Sequence, residues 1–188
     1  MFVYSPSKVR SSEGAPAGKK HLRDHNRALL LRNLWESPEG FSRAELARNT
    51  GLSPATVSAI TAKLVTIGVA SESKRRSSRG GRPATPILFE PNFQNVIGIE
   101  MGSSHISAVR TNLLAEIQER LEKDIDVQNN PEETFAVICE FIGILTASAP
   151  CPILGIGIGV PSPVELSPEH RLSSQILPKW QNENLAAR

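Results

Sequence analysis

A basic segment broken by glycine, KRRSSRGGRPATP, occupies residues 74–86. Arginine and lysine side chains at this density neutralise the phosphates of nucleic acids. Glycine removes side-chain bulk and proline keeps the chain extended, so this strip is narrow enough for a minor groove, where A·T tracts attract arginine. A solvated charge run that only screens phosphates is the alternative. The residues expected to contact duplex DNA here are Lys74, Arg75, Arg76, Arg79, Gly80, Gly81, Arg82 and Pro83.

Small and hydroxyl-bearing side chains mark a second candidate surface, on a helix predicted to begin after Ser53. Alanine and serine allow close approach to base edges and to thymine methyl groups. Because this face lacks Arg, Asn and Gln, it offers no bidentate contact to guanine or adenine, and we expect direct readout to be modest. The candidate DNA contacts on and beside this face are Ser53, Ala55, Thr56, Ser58, Ala59 and Lys63, with Arg43 at the start of the preceding helix as a phosphate contact.

These surfaces need helices to hold them, and the sequence contains the corresponding start and stop signals. Ser42 and Glu45 have the spacing of a capping box, which begins a helix. Gly51 suits the left-handed turn that ends it. Ser53 and Pro54 then fit the N-cap and the first helical position of another helix. Two short helices separated by a tight turn predict a helix-turn-helix, with a generic helical hairpin as the alternative.

Apolar spacing supplies the rest of this part of the chain. Val57, Ile60 and Leu64 lie on one face of the second short helix and should pack inward, near Ala47 of the first. An earlier helix at residues 23–36 should bury a stripe made of Ala28, Leu30, Leu31, Leu34 and Trp35. Strands are expected at residues 69–73 and 87–90, on either side of the basic segment, which completes a winged helix-turn-helix.

The second half of the chain predicts an α/β fold in which a helix packs on a mixed sheet. The expected elements are strands at residues 96–102, 105–112, 115–127 and 154–160 and a helix at residues 131–148. The last strand, LGIGIGV, is apolar and is expected to be buried. The inner face of the helix is predicted to hold Phe135, Ile138, Cys139, Ile142 and Leu145.

Charge is divided unevenly along the 188 residues. Residues 1–90 carry 15 Lys and Arg against 7 Asp and Glu, whereas residues 91–188 carry 6 against 12. This division favours a nucleic-acid-binding module followed by an acidic globular part. We therefore expect a disordered tail at 1–20, a winged helix-turn-helix domain at 21–90 and a mixed-sheet domain at 91–188.

Other classes of protein are disfavoured by what the sequence lacks. No run approaches the roughly 20 apolar residues that span a bilayer, and no apolar core follows the basic residues near the N-terminus, as a signal peptide requires. Cys139 and Cys151 are too few for a disulfide framework and lack metal-ligand spacing. We expect buried thiols in a reducing cytoplasm, no membrane contact and no bound metal.

Several segments together resemble the ROK family of repressors and sugar kinases, in its repressor branch. They are Leu22-Arg23 with Asn26-Arg27, SRAELARNTGLSPATVS, GGRPATPILFEP, VIGIEMGSSHI, ILGIGIGVPSPV and LSSQILPKW. The resemblance implies a winged helix-turn-helix joined to part of an actin-like (ribonuclease H-like) lobe. It also implies a repressor of sugar-metabolism genes that binds double-stranded DNA as a homodimer and responds to a sugar or sugar phosphate.

The sequence departs from the family's kinases where their first strand ends in an Asp-x-Gly-Gly-Thr phosphate loop. Here the order is Glu100-Met101-Gly102-Ser103-Ser104. The longer carboxylate and the missing second glycine would disturb phosphate and Mg²⁺ geometry, and the kinases' catalytic aspartate would lie beyond Arg188. We therefore expect no enzyme activity, no catalytic residue and no cofactor. The residues expected to remain of an effector pocket are Glu100, Gly102, Ser103, Ser104 and Ser162. A sugar kinase with a DNA-binding extension and a truncated dimerisation module are the alternative functions.

Overall fold

The computed structural model describes residues 18–73, 85–161 and 177–180. The chain divides into two compact units, residues 1–89 and residues 90–188. We call them the N-terminal unit and the C-terminal unit, and each has its own hydrophobic core. The elements of the N-terminal unit are α1 (Gly18–Trp35), α2 (Arg43–Thr50), α3 (Pro54–Thr66), β1 (Ala70–Glu72) and β2 (Ile87–Phe89).

Helix α1 starts earlier than predicted, at Gly18 rather than Arg23, and so includes the last three residues of the expected tail. Its buried stripe is also narrower than predicted. Leu30 and Leu34 are buried, whereas Trp35 is half-exposed and Ala28 is exposed. The reason is helical geometry, because residues four apart share a face while positions 28 and 35 lie on the far side from Leu30.

Strands β1 and β2 form an antiparallel pair in which Ser71 lies opposite Leu88. Phe41 extends this sheet by a bridge to Ile87, with hydrogen bonds of 3.1 and 2.8 Å between the two backbones. Gly40 lies against this bridge at φ +70°, and a Cβ there would approach the Ile87 carbonyl oxygen to 2.3 Å. Only glycine fits at this position, so Gly40 of the α1–α2 connection permits the sheet to form.

The core of the N-terminal unit joins all of these elements. Leu46 of α2, Val57 and Leu64 of α3, and Ile87 of β2 are each at most 1% exposed. They pack with the buried leucines of α1 in one cluster. Both short helices are therefore fixed against α1 and the hairpin by their inner faces, which leaves their outer faces free.

The C-terminal unit contains the predicted order of three strands, a helix and a fourth strand. Its elements are β3 (Asn95–Met101), β4 (His105–Asn112), β5 (Ile117–Asp124), α4 (Pro131–Ala147) and β6 (Ile153–Gly159). The four strands form one mixed sheet in the order β5-β4-β3-β6. Strands β3, β4 and β5 are antiparallel neighbours, and β6 is parallel to β3. The predicted α/β fold with a mixed sheet is thereby confirmed.

Strand β6 was expected to be buried, and that prediction is wrong. Leu154 is 59% exposed, Ile156 is 46% exposed and the glycines between them are exposed. The strand lies at the edge of the sheet and, within the described residues, pairs only with β3. An apolar strand is buried only where another layer of the structure covers it.

The buried face of α4 differs from the predicted one. Val137, Ile138, Phe141 and Leu145 are buried, whereas Cys139 is exposed. Cys139 is displaced by about 100° from Ile138 around the helix, because each residue turns the chain by that angle. The expectation of two buried thiols is therefore also wrong, since Cys151 is only partly buried.

Trp180 completes the core beneath α4. Its side chain is fully buried, and its ring centroid lies 5.3 Å from that of Phe135. The indole Nε1 donates a 2.8 Å hydrogen bond to the carbonyl of Val127. This bond satisfies the one polar atom of the ring, so Trp180 can be buried without an energetic penalty.

Arg110 on β4 is a charged residue that the sheet buries. It is 6% exposed, and its guanidinium donates to Asn95, Gln118 and Glu119. Glu119 also accepts from Ser148, and this bond, followed by that from Arg110, holds the pKa of Glu119 below its usual value. The network ties β3, β4 and β5 to the residue that follows α4.

Candidate nucleic-acid interface

The start of α2 is fixed by the predicted capping box, which is confirmed. The Ser42 hydroxyl accepts a 3.3 Å hydrogen bond from the Glu45 backbone, and Glu45 Oε2 accepts a 2.8 Å bond from the Ser42 backbone. The Ser42 hydroxyl also donates to Glu45 Oε2 at 2.7 Å. The side-chain bond from Ser42, and then its backbone bond, lower the pKa of Glu45. Ionised Glu45 therefore holds the first turn of α2 in place.

Three residues connect α2 to α3. Gly51 adopts the left-handed conformation at φ +69°, and its N–H donates to the Ala47 carbonyl. Ser53 then caps α3 by accepting a hydrogen bond from the Thr56 backbone at 3.2 Å. Pro54 occupies the first helical position. The predicted turn and both predicted caps are thus present, and they set the angle at which α3 leaves α2.

The outer face of α3 carries the side chains predicted to meet bases. Ala55, Ser58 and Ala59 are exposed, and so is Lys63 one turn later. Thr56 is partly buried, and its hydroxyl lies 2.9 Å from that of Ser53. Ser53 is exposed, and its hydroxyl bonds both the backbone N–H and the side-chain hydroxyl of Thr56. The face is narrow, uncharged near the helix start and free of bulky side chains.

The inner face of α3 includes one polar residue that sequence reasoning missed. Thr61 is fully buried and its hydroxyl donates to the carbonyl of Val57 at 2.8 Å. A threonine can be buried in a helix when its hydroxyl bonds back to the preceding turn. Its position between Val57 and Leu64 on the helix surface could have indicated burial. Ile60, predicted to pack inward, is partly buried.

Arg43 lies at the start of α2, as predicted, but its guanidinium is engaged. Its Nη2 is 2.6 Å from Glu72 Oε1 at the end of β1. The two side chains are 35% and 45% exposed, so the pair is accessible to solvent. A surface ion pair of this kind contributes only about 0–1 kcal/mol. A phosphate could therefore replace Glu72 at little cost.

The DNA contacts predicted in the basic segment lie outside the described residues. They are Lys74, Arg75, Arg76, Arg79, Gly80, Gly81, Arg82 and Pro83. The chain on either side of them is described: Ser73 donates its N–H to the Pro86 carbonyl at 2.9 Å. The two ends of the basic segment are therefore held together by the β1–β2 hairpin.

The expected effector residues lie in the C-terminal unit. Glu100 is exposed near the end of β3, and Gly102, Ser103 and Ser104 form the turn into β4. The Gly102 N–H donates to the His105 carbonyl at 2.9 Å, and the Ser104 carbonyl accepts from Ile125 at 3.0 Å. The first bond closes a tight turn in which both serines are exposed, and the second ties this turn to the residue that follows β5. Ser162 falls outside the described residues.

A cleft between α1 and α3 contains two arginines that were not predicted as site residues. Arg23, Asn26 and Arg27 of α1 line it together with Thr56 and Lys63 of α3, and its volume is about 450 Å³. The α1 residues are spaced by three and four, which places them on one helix face. That spacing was visible in the sequence, but only the packing of α1 beside α3 shows what the face adjoins.

Comparison with known proteins shows which proteins this chain resembles. The xylose repressor of Caldicellulosiruptor bescii is 30% identical over 166 residues, which are 86% of this chain and 41% of that protein. A putative xylose repressor of Caldicellulosiruptor sp. is 34% identical over 168 residues, with the same coverage. The N-acetylglucosamine repressor of Escherichia coli O157:H7 is 36% identical over 62 residues, or 33% of this chain and 15% of that protein. No family model matches the sequence.

A solved structure is similar to this chain in fold. It is a ROK family transcriptional regulator, a homologue of the E. coli MLC protein, with a TM-score of 0.64 and 21% identity over 88% of this chain and 42% of that one. The resemblance of this chain to the ROK family repressors is therefore confirmed. The chain spans about two fifths of the length of the xylose repressors it matches. Within the described residues, none of the helices combines the length and apolarity needed to cross a membrane.

Proposed function

We propose that this chain is a DNA-binding transcriptional regulator that represses genes of sugar metabolism. The observation that carries the proposal is the outer face of α3, which is exposed, built of small side chains and held by two caps and the Gly51 turn. A helix with such a face can enter the major groove, which admits an α-helix. In this proposal the N-terminal unit is a winged helix-turn-helix, with α3 as the reading helix.

Residues 74–84 of the basic segment would act as the wing. The β1–β2 hairpin holds its two ends together, so its arginines would be presented as one finger beside α3. Arg79 and Arg82 would enter a minor groove, while Lys74, Arg75 and Arg76 would bind phosphates. Arg43 would exchange Glu72 for a phosphate when DNA arrives. Because α3 offers no bidentate base contact, the wing would supply much of the sequence preference.

The C-terminal unit would be part of an actin-like lobe that senses a sugar or sugar phosphate. The relatives are named for xylose and for N-acetylglucosamine, which favours a sugar as the class of effector and a regulator rather than an enzyme. Glu100, Gly102, Ser103 and Ser104 would form one side of the effector pocket, with Ser162. Binding as a homodimer would let two α3 helices read two half-sites of an operator.

The function can be tested by adding a carboxylate to the start of α3. In the Ala55→Glu variant the new charge faces DNA phosphates, and we expect roughly a tenfold loss of duplex affinity, since one like-charge contact costs at least about 1 kcal/mol. The same substitution should leave the fold intact, because an acidic residue in the first turn of a helix is stabilising. Affinity is measured by fluorescence anisotropy on duplex DNA, and stability by thermal unfolding.

Ala28→Glu is the matched control, because Ala28 is exposed on α1 and does not line the cleft beside α3. It changes the net charge equally and should weaken binding much less. Equal losses for the two variants would show that only overall charge matters. If the unchanged protein has no salt-sensitive duplex binding, the proposal itself is wrong.

A further inference from the structure

We propose that the cleft between α1 and α3 is a second phosphate-binding site, in which Arg23 and Arg27 hold the DNA backbone beside the groove that α3 enters. This inference rests on the proposed function and adds α1 to the interface. Arg23 and Arg27 lie on α1, outside the helix-turn-helix and the basic segment.

The first argument is the change in character along one face of α1. Leu30 and Leu34 of this face are buried in the core. One and two turns towards the N-terminus, the same face carries Arg27 and Arg23 instead of leucine. The face thus continues past the end of the core, and there it lines the cleft opposite α3. If positions 23 and 27 only covered the core, we would expect apolar residues there.

The second argument is the charge of the cleft. Arg23 and Arg27 face Lys63 of α3 across it, and Asn26 and Thr56 add polar groups to the same walls. Asp24 is the nearby carboxylate, with its Oδ1 3.9 Å from Arg27 Nη1, and both side chains are about half-exposed. Within the described residues, no ion pair joins Arg23 or Lys63 to a carboxylate. Three cations around one cleft repel each other unless an anion joins them.

The third argument is the helix dipole. The first turn of α1 contains no acidic residue and includes Lys20. Cations at the N-terminal end of a helix lie at its positive pole and are destabilising there. A phosphate beside this end would remove that penalty as well as neutralising the cleft.

The fourth argument selects DNA as the source of the phosphate. Thr56 and Lys63 line the cleft and also border the outer face of α3. A duplex read by that face would therefore bring its backbone to the cleft without a further movement of the chain. Inorganic phosphate has the same chemistry but would arrive alone, so the two sources can be distinguished by competition.

The test compares the salt dependence of duplex binding for the unchanged protein, Arg23→Ala and Arg27→Ala. Each phosphate contact contributes about 0.9 to the slope of log K against log salt concentration. We expect each variant to lose about 0.9 of slope. Between about 50 and about 200 mM salt, the unchanged protein should therefore weaken about 3.5-fold more than either variant. Arg32→Ala is the matched control, because Arg32 is exposed on α1 away from the cleft, and its slope should not change.

A second variant guards against loss of binding through misfolding. Asp24→Asn removes the carboxylate next to Arg27, and we expect tighter duplex binding with an unchanged unfolding temperature. Inorganic phosphate at matched ionic strength should not compete with the duplex. If the unchanged protein binds duplex DNA but both arginine variants keep its slope, the cleft is not a phosphate site. Competition by inorganic phosphate would also overturn the assignment to the DNA backbone. Absence of duplex binding by the unchanged protein would instead refute the proposed function.

Discussion

Single hydrogen bonds decide where helices α2 and α3 begin. Ser42 is 9% exposed although serine is usually a surface residue. Its burial is tolerated because the hydroxyl both accepts from and donates to Glu45. The cap thus lets a polar side chain at the edge of the core stabilise the first turn of α2.

We expect Ser42→Ala to lower the free energy of unfolding by about 1 kcal/mol, the usual cost of losing an N-cap. The hydrogen bonds from Ser42 lower the pKa of Glu45 in the folded protein below 4.5. The stabilisation that ionised Glu45 contributes is therefore present above that pH, and it disappears as the pH falls through the lowered pKa. Denaturant unfolding at about pH 7 and about pH 3 should therefore give a smaller difference between variant and unchanged protein at the lower pH.

Ser58→Ala serves as the control for this prediction. Ser58 is an exposed serine within α3 and caps no helix, so its replacement by a better helix former should not destabilise the protein. A loss for Ser42→Ala that is the same at both pH values would mean that the Glu45 carboxylate takes no part in the cap.

Arg43 illustrates how one side chain can serve two partners. Its bond to Glu72 connects α2 with β1 in the free protein. Both groups are accessible, so the pair is weak enough to be broken by a stronger anion. The proposed phosphate contact at this residue is compatible with the ion pair, because the two would be made in different states of the protein.

At the scale of elements, the turn between α2 and α3 determines what α3 can reach. Thr50 is the last residue of α2 and Pro54 is the first of α3, so only three residues are available to change the direction of the chain. Gly51 does this with a positive φ, although nothing lies within 4 Å of where its Cβ would be. The requirement for glycine is therefore conformational rather than steric crowding.

We expect Gly51→Ala to destabilise the N-terminal unit by about 1–2 kcal/mol, because alanine disfavours the left-handed conformation. Gly51→Asn should lose less, since asparagine tolerates this conformation. Denaturant unfolding followed by circular dichroism measures both. Duplex affinity should fall in the same order, because the angle of α3 depends on the turn. Equal stability of the two variants would contradict this account.

At the scale of the whole molecule, the two units differ in how completely their elements are covered. The N-terminal unit encloses its core between three helices and a hairpin. In the C-terminal unit α4 packs on the sheet at β3 and β4, while β6 at one edge keeps apolar side chains exposed. An exposed apolar edge strand favours pairing with another chain.

This edge predicts concentration-dependent self-association, which Ile156→Lys should reduce. Ile156 is 46% exposed on β6, and lysine on an edge strand opposes strand pairing. Ile67→Lys is the control, because Ile67 is similarly exposed, at 50%, but lies after α3. Sedimentation velocity over a range of concentrations should show less association for the first variant only. Equal self-association of both variants would exclude β6 as the cause of the association.

Local signals in the sequence were sufficient for much of this protein. The capping box at Ser42, the turn at Gly51 and the start of α3 at Pro54 depend on residues a few positions apart, so their physics is contained in the local sequence. The resemblance to ROK repressors was likewise visible in short segments. The role of residues 74–84 as a wing remains a prediction.

Tertiary structure decided which faces are covered. Only the sheet order places β6 at an edge, and only the packing of α4 exposes Cys139. The burial of Arg110 on β4 depends on Asn95 of β3 and on Gln118 and Glu119 of β5. The cleft beside Arg23 exists because residues of α1 and α3 come together in the fold. Burial and charge clustering arise from residues far apart in the chain, so no local pattern determines them.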